Sequence, residues 1–306
     1  MSELSQQTAA WVKSLCDVER LPDSYAKTVA GYVAPLAGRI RDLHGKLGRP
    51  VIVGINGAQG SGKSTLALFL SHWLRRETGD ATACLSIDDI YLTKAERQAL
   101  SHTLHPLFAT RGVPGTHDTA LGRDVLDAVT APGSRRTVSV PAFDKASDDR
   151  LPEAQWPRVD APVDVVLFEG WCVGARPQDP AELTEPINAL EAKEDADAVW
   201  RRTVNERLAS DYAELFGRLD MLVMLHVPSF DKVLEWRGLQ EQKLRERLNR
   251  NSGSSAAPGG LSDAELLRFI QHFERLTRHM LETMPVYADA VIDIGADHGY
   301  SVLDFK

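Results

Sequence analysis

Several things are scarce in this chain, and each scarcity removes a class of function. Its 306 residues include three cysteines, Cys16, Cys84 and Cys172. No two of them have metal-ligand spacing and three cannot all pair within one chain, so they read as the reduced thiols of a cytoplasmic protein. No apolar run reaches the ~18 residues that suggest a membrane span. The N-terminus places Glu3 and scattered polar residues where a secretory leader needs a basic flank and an apolar stretch, so neither a membrane nor an exported protein is expected. Positive charge is also short: 35 Lys and Arg against 43 Asp and Glu leave a net charge of −8, which argues against a nucleic-acid partner. No internal repeat is present, and nothing in the pattern calls for an obligate protein partner. What remains is a soluble chain long enough to bury one large α/β core.

The richest stretch is Gly54-Ile55-Asn56-Gly57-Ala58-Gln59-Gly60-Ser61-Gly62-Lys63-Ser64-Thr65, which follows the apolar run Pro50-Val51-Ile52-Val53. It has the form strand, glycine-rich turn, helix. From Gly57 to Ser64 it fits G-x-x-x-x-G-K-[ST], in which backbone N–H groups face phosphates, the lysine reaches the β/γ oxygens and the hydroxyl ligates magnesium. Leu66, Phe69, Leu70, Trp73 and Leu74 continue at helical spacing, and Gly79 supplies a C-cap. The helix N-terminus adds its own attraction for an anion. Residues 57–65 are therefore expected to hold ATP, with Mg²⁺ at Ser64.

Apolar runs at 51–56, 82–87, 163–168, 221–227 and 289–294 predict parallel strands with helices between them, an α/β/α layered fold. Residues 1–48 read as a helical extension with Tyr25, Val29, Tyr32, Val33, Leu36 and Ile40 on its apolar face, ahead of a phosphate-loop domain over 49–306. The connection 91–161 is too rich in proline and glycine for one regular element and reads as an acceptor-binding insertion. Residues from about 229 to 261 read as a lid ending in a flexible loop at 251–260. Ser262 and Glu265 then cap a helix with Leu266, Leu267, Phe269, Ile270 and Phe273 on its apolar face.

The second strand ends in Ser86-Ile87-Asp88-Asp89-Ile90-Tyr91, which sets two carboxylates at the edge of the sheet where ligands gather. One can orient or deprotonate an alcohol while its neighbour faces hydrated magnesium; alternation along a strand gives them different roles, with Asp88 the base and Asp89 toward the metal. The third strand ends in Phe168-Glu169-Gly170-Trp171, where Glu169 can hold a metal-bound water or the loop lysine and Gly170 lets the chain turn close to the phosphates. Beyond the fourth strand Arg237, Lys243 and Arg245 suit a lid that follows the transferred charge. A small anionic acceptor needs cations and hydrogen-bonding partners. Tyr91, Arg111, His117, Asp118, Asp144, Lys145 and Arg150 supply both types.

Taken together, the loop from Asn56 to Thr65, Ser86 to Thr93, His105-Pro106-Leu107 leading into Arg111-Gly112 and His117-Asp118, Phe143-Asp144-Lys145, Phe168 to Trp171, Tyr212, and Glu235-Trp236-Arg237 with Gln240-Glu241 resemble the glycerate kinase family of plants and fungi. The resemblance runs over roughly residues 50 to 295. It implies a P-loop NTPase fold with sheet order 2-3-1-4-5, ATP and Mg²⁺ as cofactors, a small hydroxy-acid substrate, phosphorylation of D-glycerate at its 3-hydroxyl, and Asp88 at the position of the catalytic aspartate. The wider likeness is to uridine, pantothenate and phosphoribulo kinases. Three features depart from the pattern: a short stretch after Lys145, an acidic segment at 178–200 and the loop at 251–260. A kinase for a nucleoside, pantothenate or another sugar acid, and a nucleotide-controlled binding protein, remain as alternative readings.

Overall fold

A computed structural model describes residues 4–251 and 262–306, with the backbone alone for 240, 241 and 243–251. The loop expected at 251–260 lies, from residue 252 on, outside the described residues, as do the side chains of Lys243 and Arg245.

The sheet is assembled from β1 (Val51–Gly57), β2 (Thr82–Ser86), β3 (Val165–Gly170), β4 (Met221–His226), β5 (Ala290–Ile294) and β6 (Tyr300–Phe305), in the spatial order β6-β5-β4-β1-β3-β2. Each neighbouring pair from β2 to β5 is parallel, with Val51 opposite Val165 and Val53 opposite Met221. β6 returns antiparallel to β5, so the sheet is mixed at that edge. This sixth strand is not among the expected apolar runs: Tyr300–Phe305 is largely exposed and lies on an edge, so it carries no continuous apolar pattern.

Helices cover both faces: α1 (Gln6–Glu19), α2 (Ala34–Leu47), α3 (Lys63–Trp73), α4 (Lys94–Thr103), α5 (Thr119–Thr130), α6 (Val199–Ala209), α7 (Asp211–Phe216), α8 (Phe230–Asn251) and α9 (Asp263–Tyr287). Strand alternation divides the core in two. Val51, Val53, Ile55, Val165, Leu167, Val223 and Ile292 face a layer containing Val33, Leu36 and Ile40 of the N-terminal segment and Leu66, Phe69 and Leu70 of α3. Ile52, Val166, Phe168, Leu222, Met224 and Val291 face the opposite layer, with Val125 and Leu126 of α5, Leu208 of α6 and Tyr212 and Leu215 of α7. α9 serves both, sending Leu266 and Ile270 to the first and Phe273, Leu276 and Met280 to the second. Its N-cap is the expected box, in which Ser262 Oγ accepts from Glu265 N–H and Glu265 Oε2 accepts from Ser262 N–H.

Much of the insertion is ordered by buried arginine. Arg97 of α4 is 1% exposed and donates to the carbonyls of Leu92, Ala109 and Asp148, tying three segments of the connection together. Arg201 does the same for the acidic stretch, pairing with buried Asp195 and donating to the carbonyls of Leu183 and Thr184. Arg275 of α9 grips buried Glu191 with two donors. Each head group would be costly to bury if unpaired, so these contacts fix where the irregular chain runs. Among the described residues, no helix is long and apolar enough to cross a membrane.

Candidate active site

The phosphate loop joins β1 to α3 and its backbone explains its glycines. Gly60 and Gly62 have φ of +82° and +89°, and a Cβ on Gly57 would stand 2.4 Å from Ser61 Oγ. Lys63 is the first residue of α3, so the unbonded N–H groups of a helix start follow directly on the loop. Ser64 Oγ donates to Glu169 Oε1 at 2.9 Å. Among the described residues, Gln59 Oε1, Ser61 Oγ and Glu169 Oε2 are buried without a hydrogen-bond partner. Buried polar groups are normally satisfied, so three such atoms around one loop mark a cradle shaped for a polar ligand. The donor set fits a hydrated divalent cation held by one hydroxyl and one carboxylate beside phosphate, the manner in which magnesium is usually held. Asn56 braces the loop from below, donating to the carbonyls of Trp171 and Val173.

The adjacent acids lie beyond the end of β2 in a 3₁₀ turn, Ile87–Ile90, whose entry is capped by Ser86 Oγ accepting from Asp88 N–H. They differ because of this turn and what packs on it, and strand alternation, the expected reason, plays no part. Asp88 Oδ1 accepts from Tyr91 Oη at 2.7 Å and Asp88 Oδ2 from Lys145 Nζ at 2.7 Å. Burial pushes its carboxyl pKa up, but the Lys145 ammonium, with help from Lys63 and the Tyr91 hydroxyl, outweighs that and holds it below the ordinary value. Asp89 Oδ1 accepts from Phe143 N–H at 3.2 Å. Burial, reinforced by the neighbouring charges of Asp88 and Glu169, lifts the Asp89 carboxyl to about 6. The Asp88 carboxylate is thus the harder of the two to protonate, and Asp89 takes up a proton at a pH nearer neutral.

A cavity of about 260 Å³ joins these groups: Gln59, Gly60 and Lys63 from the phosphate loop, Asp88 and Tyr91 from the turn, Arg111 and Lys145 from the insertion, and Trp171, Arg237, Phe269 and Phe273 as walls. Lys145 sits at the tip of a small ribbon, Phe143–Asp144 paired with Asp149–Arg150. Arg111 is held by Asp148 and lies over the Phe143 ring, with its guanidinium carbon 5.5 Å from the ring centre.

Four of the expected acceptor groups stand outside this cavity. Arg150 spends two donors on the Tyr91 carbonyl and a third on Asp118 Oδ2. Asp118 is the N-cap of α5 and accepts from Leu121 N–H. Asp144 is exposed within its own turn, accepting from the N–H groups of Ala146 and Ser147. His117 is buried behind Tyr91, stacked on its ring at 4.5 Å, with Nδ1 2.5 Å from Tyr212 Oη. Burial takes its pKa down to about 3, so it is a neutral support for the tyrosine. Gly170 is small for a packing reason, because a Cβ there would stand 2.2 Å from Ile87 Cγ2. Sequence reasoning missed the aromatic wall. Phe269 and Phe273 read as ordinary core at helical spacing, and only the fold reveals that α9 crosses the mouth of the insertion.

Comparison with protein-family profiles finds no match. Over 234 residues the chain is 37% identical to a protein of Schizosaccharomyces pombe described as the uncharacterized kinase mug58, covering 74% of this chain and 79% of that one. It is 30% identical over 245 residues to the chloroplastic D-glycerate 3-kinase of Arabidopsis thaliana, covering 77% of this chain but 48% of that longer protein. Among solved structures, D-glycerate 3-kinase from Cryptococcus neoformans superposes with a TM-score of 0.72 at 22% identity, covering 90% of this chain and 99% of that one, which is a likeness of fold. With a phosphate loop, an aspartate and three further cations lining one cavity, and with these relatives, the chain belongs to the family of the fission-yeast kinase and is an ATP-dependent P-loop small-molecule kinase.

Proposed function

We propose that the protein transfers the terminal phosphoryl group of MgATP to the 3-hydroxyl of D-glycerate, giving 3-phosphoglycerate. The observation that carries the reading is the single cavity in which Lys63, Asp88, Lys145 and Arg111 meet. A phosphate loop needs only the first of these cations. A second pair beside the ionised carboxylate suits an acceptor with its own negative charge, remote from the hydroxyl that reacts.

In this reading Lys63 and the backbone of residues 57–65 hold the β- and γ-phosphates, and Ser64 with Glu169 would hold Mg²⁺, with Asp89 completing the acidic set. When bound, the cation would offset the charge that develops on the phosphates. Arg111 and Lys145 hold the acceptor carboxylate. Asp88, fixed by Tyr91, orients the terminal hydroxyl and takes its proton as that oxygen bonds to the γ-phosphorus and the bond from phosphorus to the β,γ-bridging oxygen breaks, releasing ADP. Arg237 stabilises charge on the transferred group as the lid closes. The three free thiols suit work in the reducing cytoplasm.

The test is ADP release measured with D-glycerate, L-glycerate, glycerol, uridine and pantothenate as acceptors. D-glycerate should be preferred. Glycerol should be poor, because it lacks the carboxylate that Arg111 and Lys145, paired at rest with Asp148 and Asp88, would hold. Strong turnover of uridine or pantothenate with none of D-glycerate would reject the substrate while leaving the kinase intact.

A further inference from the structure

The cavity has charged and aromatic walls. Its charged groups are Lys63, Asp88, Arg111, Lys145 and Arg237, and the rings of Trp171, Phe269 and Phe273 pack together in its lining. Phe273 is 3% exposed and held from two sides, edge-to-face with Trp171 at 5.0 Å and tilted against Phe269 at 5.1 Å. The only polar atom of the Trp171 side chain is already used, because Nε1–H donates to the Gly112 carbonyl at 2.8 Å. Gly112 is what admits the ring: with φ of +129°, a Cβ there would lie 2.4 Å from Phe273 Cε1. Phe273 is thereby seated against the residue next to Arg111, at the end of the cavity where an acceptor carboxylate would be held.

Two consequences follow for an acceptor. The volume, about 260 Å³, falls below the ~300–1,000 Å³ usual for small-molecule sites. A hydroxyl or second carboxylate pushed against the rings would be buried without a partner. Resting on the proposed hydroxy-acid reading of the same site, we propose that Phe273, backed by Phe269 and Trp171, is a specificity-determining residue that limits the acceptor to short monocarboxylic hydroxy acids.

The test compares kcat/KM for D-glycerate with that for four- and five-carbon monocarboxylic acids carrying a 2-hydroxyl and a terminal hydroxyl, in the wild type, Phe273→Leu and Phe273→Ala. The wild type should favour the three-carbon acid. In Phe273→Ala the five-carbon to three-carbon ratio should rise at least about tenfold, the lower end of what one misfitting methylene is worth in an apolar pocket, with a smaller rise in Phe273→Leu. KM for ATP should move by less than about twofold. An unchanged ratio in Phe273→Ala overturns the proposal, and if that variant does not fold an unchanged ratio in Phe273→Leu does so. Absence of D-glycerate turnover by the wild type overturns the proposed function by itself. The ratio is then read among the hydroxy acids the wild type accepts, and acceptance of none overturns both.

Discussion

The two ends of the cavity are built in different ways. The phosphate end comes from one contiguous stretch, Gly57 to Thr65, in which backbone conformation does most of the positioning and Gly60 and Gly62 hold φ values open to glycine. The acceptor end is gathered from the turn at Asp88–Tyr91, the loop at Arg111, the ribbon tip at Lys145, the end of β3 at Trp171 and the face of α9 at Phe269 and Phe273. Side chains position it, and arginines such as Arg97 and Arg150, outside the cavity, support it. A contiguous backbone device recurs with little change, whereas an assembled end can be rebuilt one side chain at a time.

The sharpest way to break the comparison is to remove Lys63. Lys63→Ala should lower kcat/KM by at least about 1,000-fold, the upper end of the loss for one charge-stabilising donor, and should weaken ATP binding in calorimetry while leaving acceptor binding in place. Near-normal turnover by a folded variant would show that the loop does not act on phosphate.

Asp88→Asn should lower kcat about 100-fold or more, since it removes the group assigned to the acceptor proton, and should change ATP affinity by less than about threefold. Asp89→Asn should cost much less turnover. A reversed order in the same assay would exchange their assignments.

Lys145→Met should raise the acceptor KM by about 10- to 100-fold, as expected for a hydrogen bond to a charged group worth ~1.5–3 kcal/mol, with a smaller change in KM for ATP. A rise confined to ATP would move Lys145 to the phosphate end.

The smallest effect is on stability. The Asp89 carboxyl titrates near 3.9 when unfolded and at about 6 in the fold, so from about pH 4 to 6 the folded protein keeps a proton that the unfolded chain has lost. Stability therefore falls as pH rises through that window. Asp89→Asn retains an oxygen for Phe143 N–H and should gain ~1–3 kcal/mol over the wild type at pH 8, with no gain at pH 4, in urea unfolding. An equal difference at both pH values would contradict the raised value.

The same contrast explains what was legible in the sequence. The phosphate loop, the strands that carry it and the capping box at Ser262 rest on local rules, and each is found where the pattern put it. Asp88 could be proposed from its place at a strand end, and Arg111 and Lys145 as cations in polar loops of the insertion, and the fold gathers the three. His117, Asp118, Asp144 and Arg150 have the same residue types, yet they support Tyr91 or cap local turns, a difference set by contacts across the insertion. Arg97 looks like a solvated helix charge and is the buried tie of that insertion. The aromatic wall was hidden for the opposite reason, because a phenylalanine facing a site and one facing a core have the same spacing along α9.

The most direct test of the account is the identity of the product. With D-glycerate and MgATP, phosphorus and proton NMR should show 3-phosphoglycerate, as required if Arg111 and Lys145 hold the carboxylate at one end and Asp88 meets the terminal hydroxyl at the other. Formation of 2-phosphoglycerate would contradict that arrangement of the two ends.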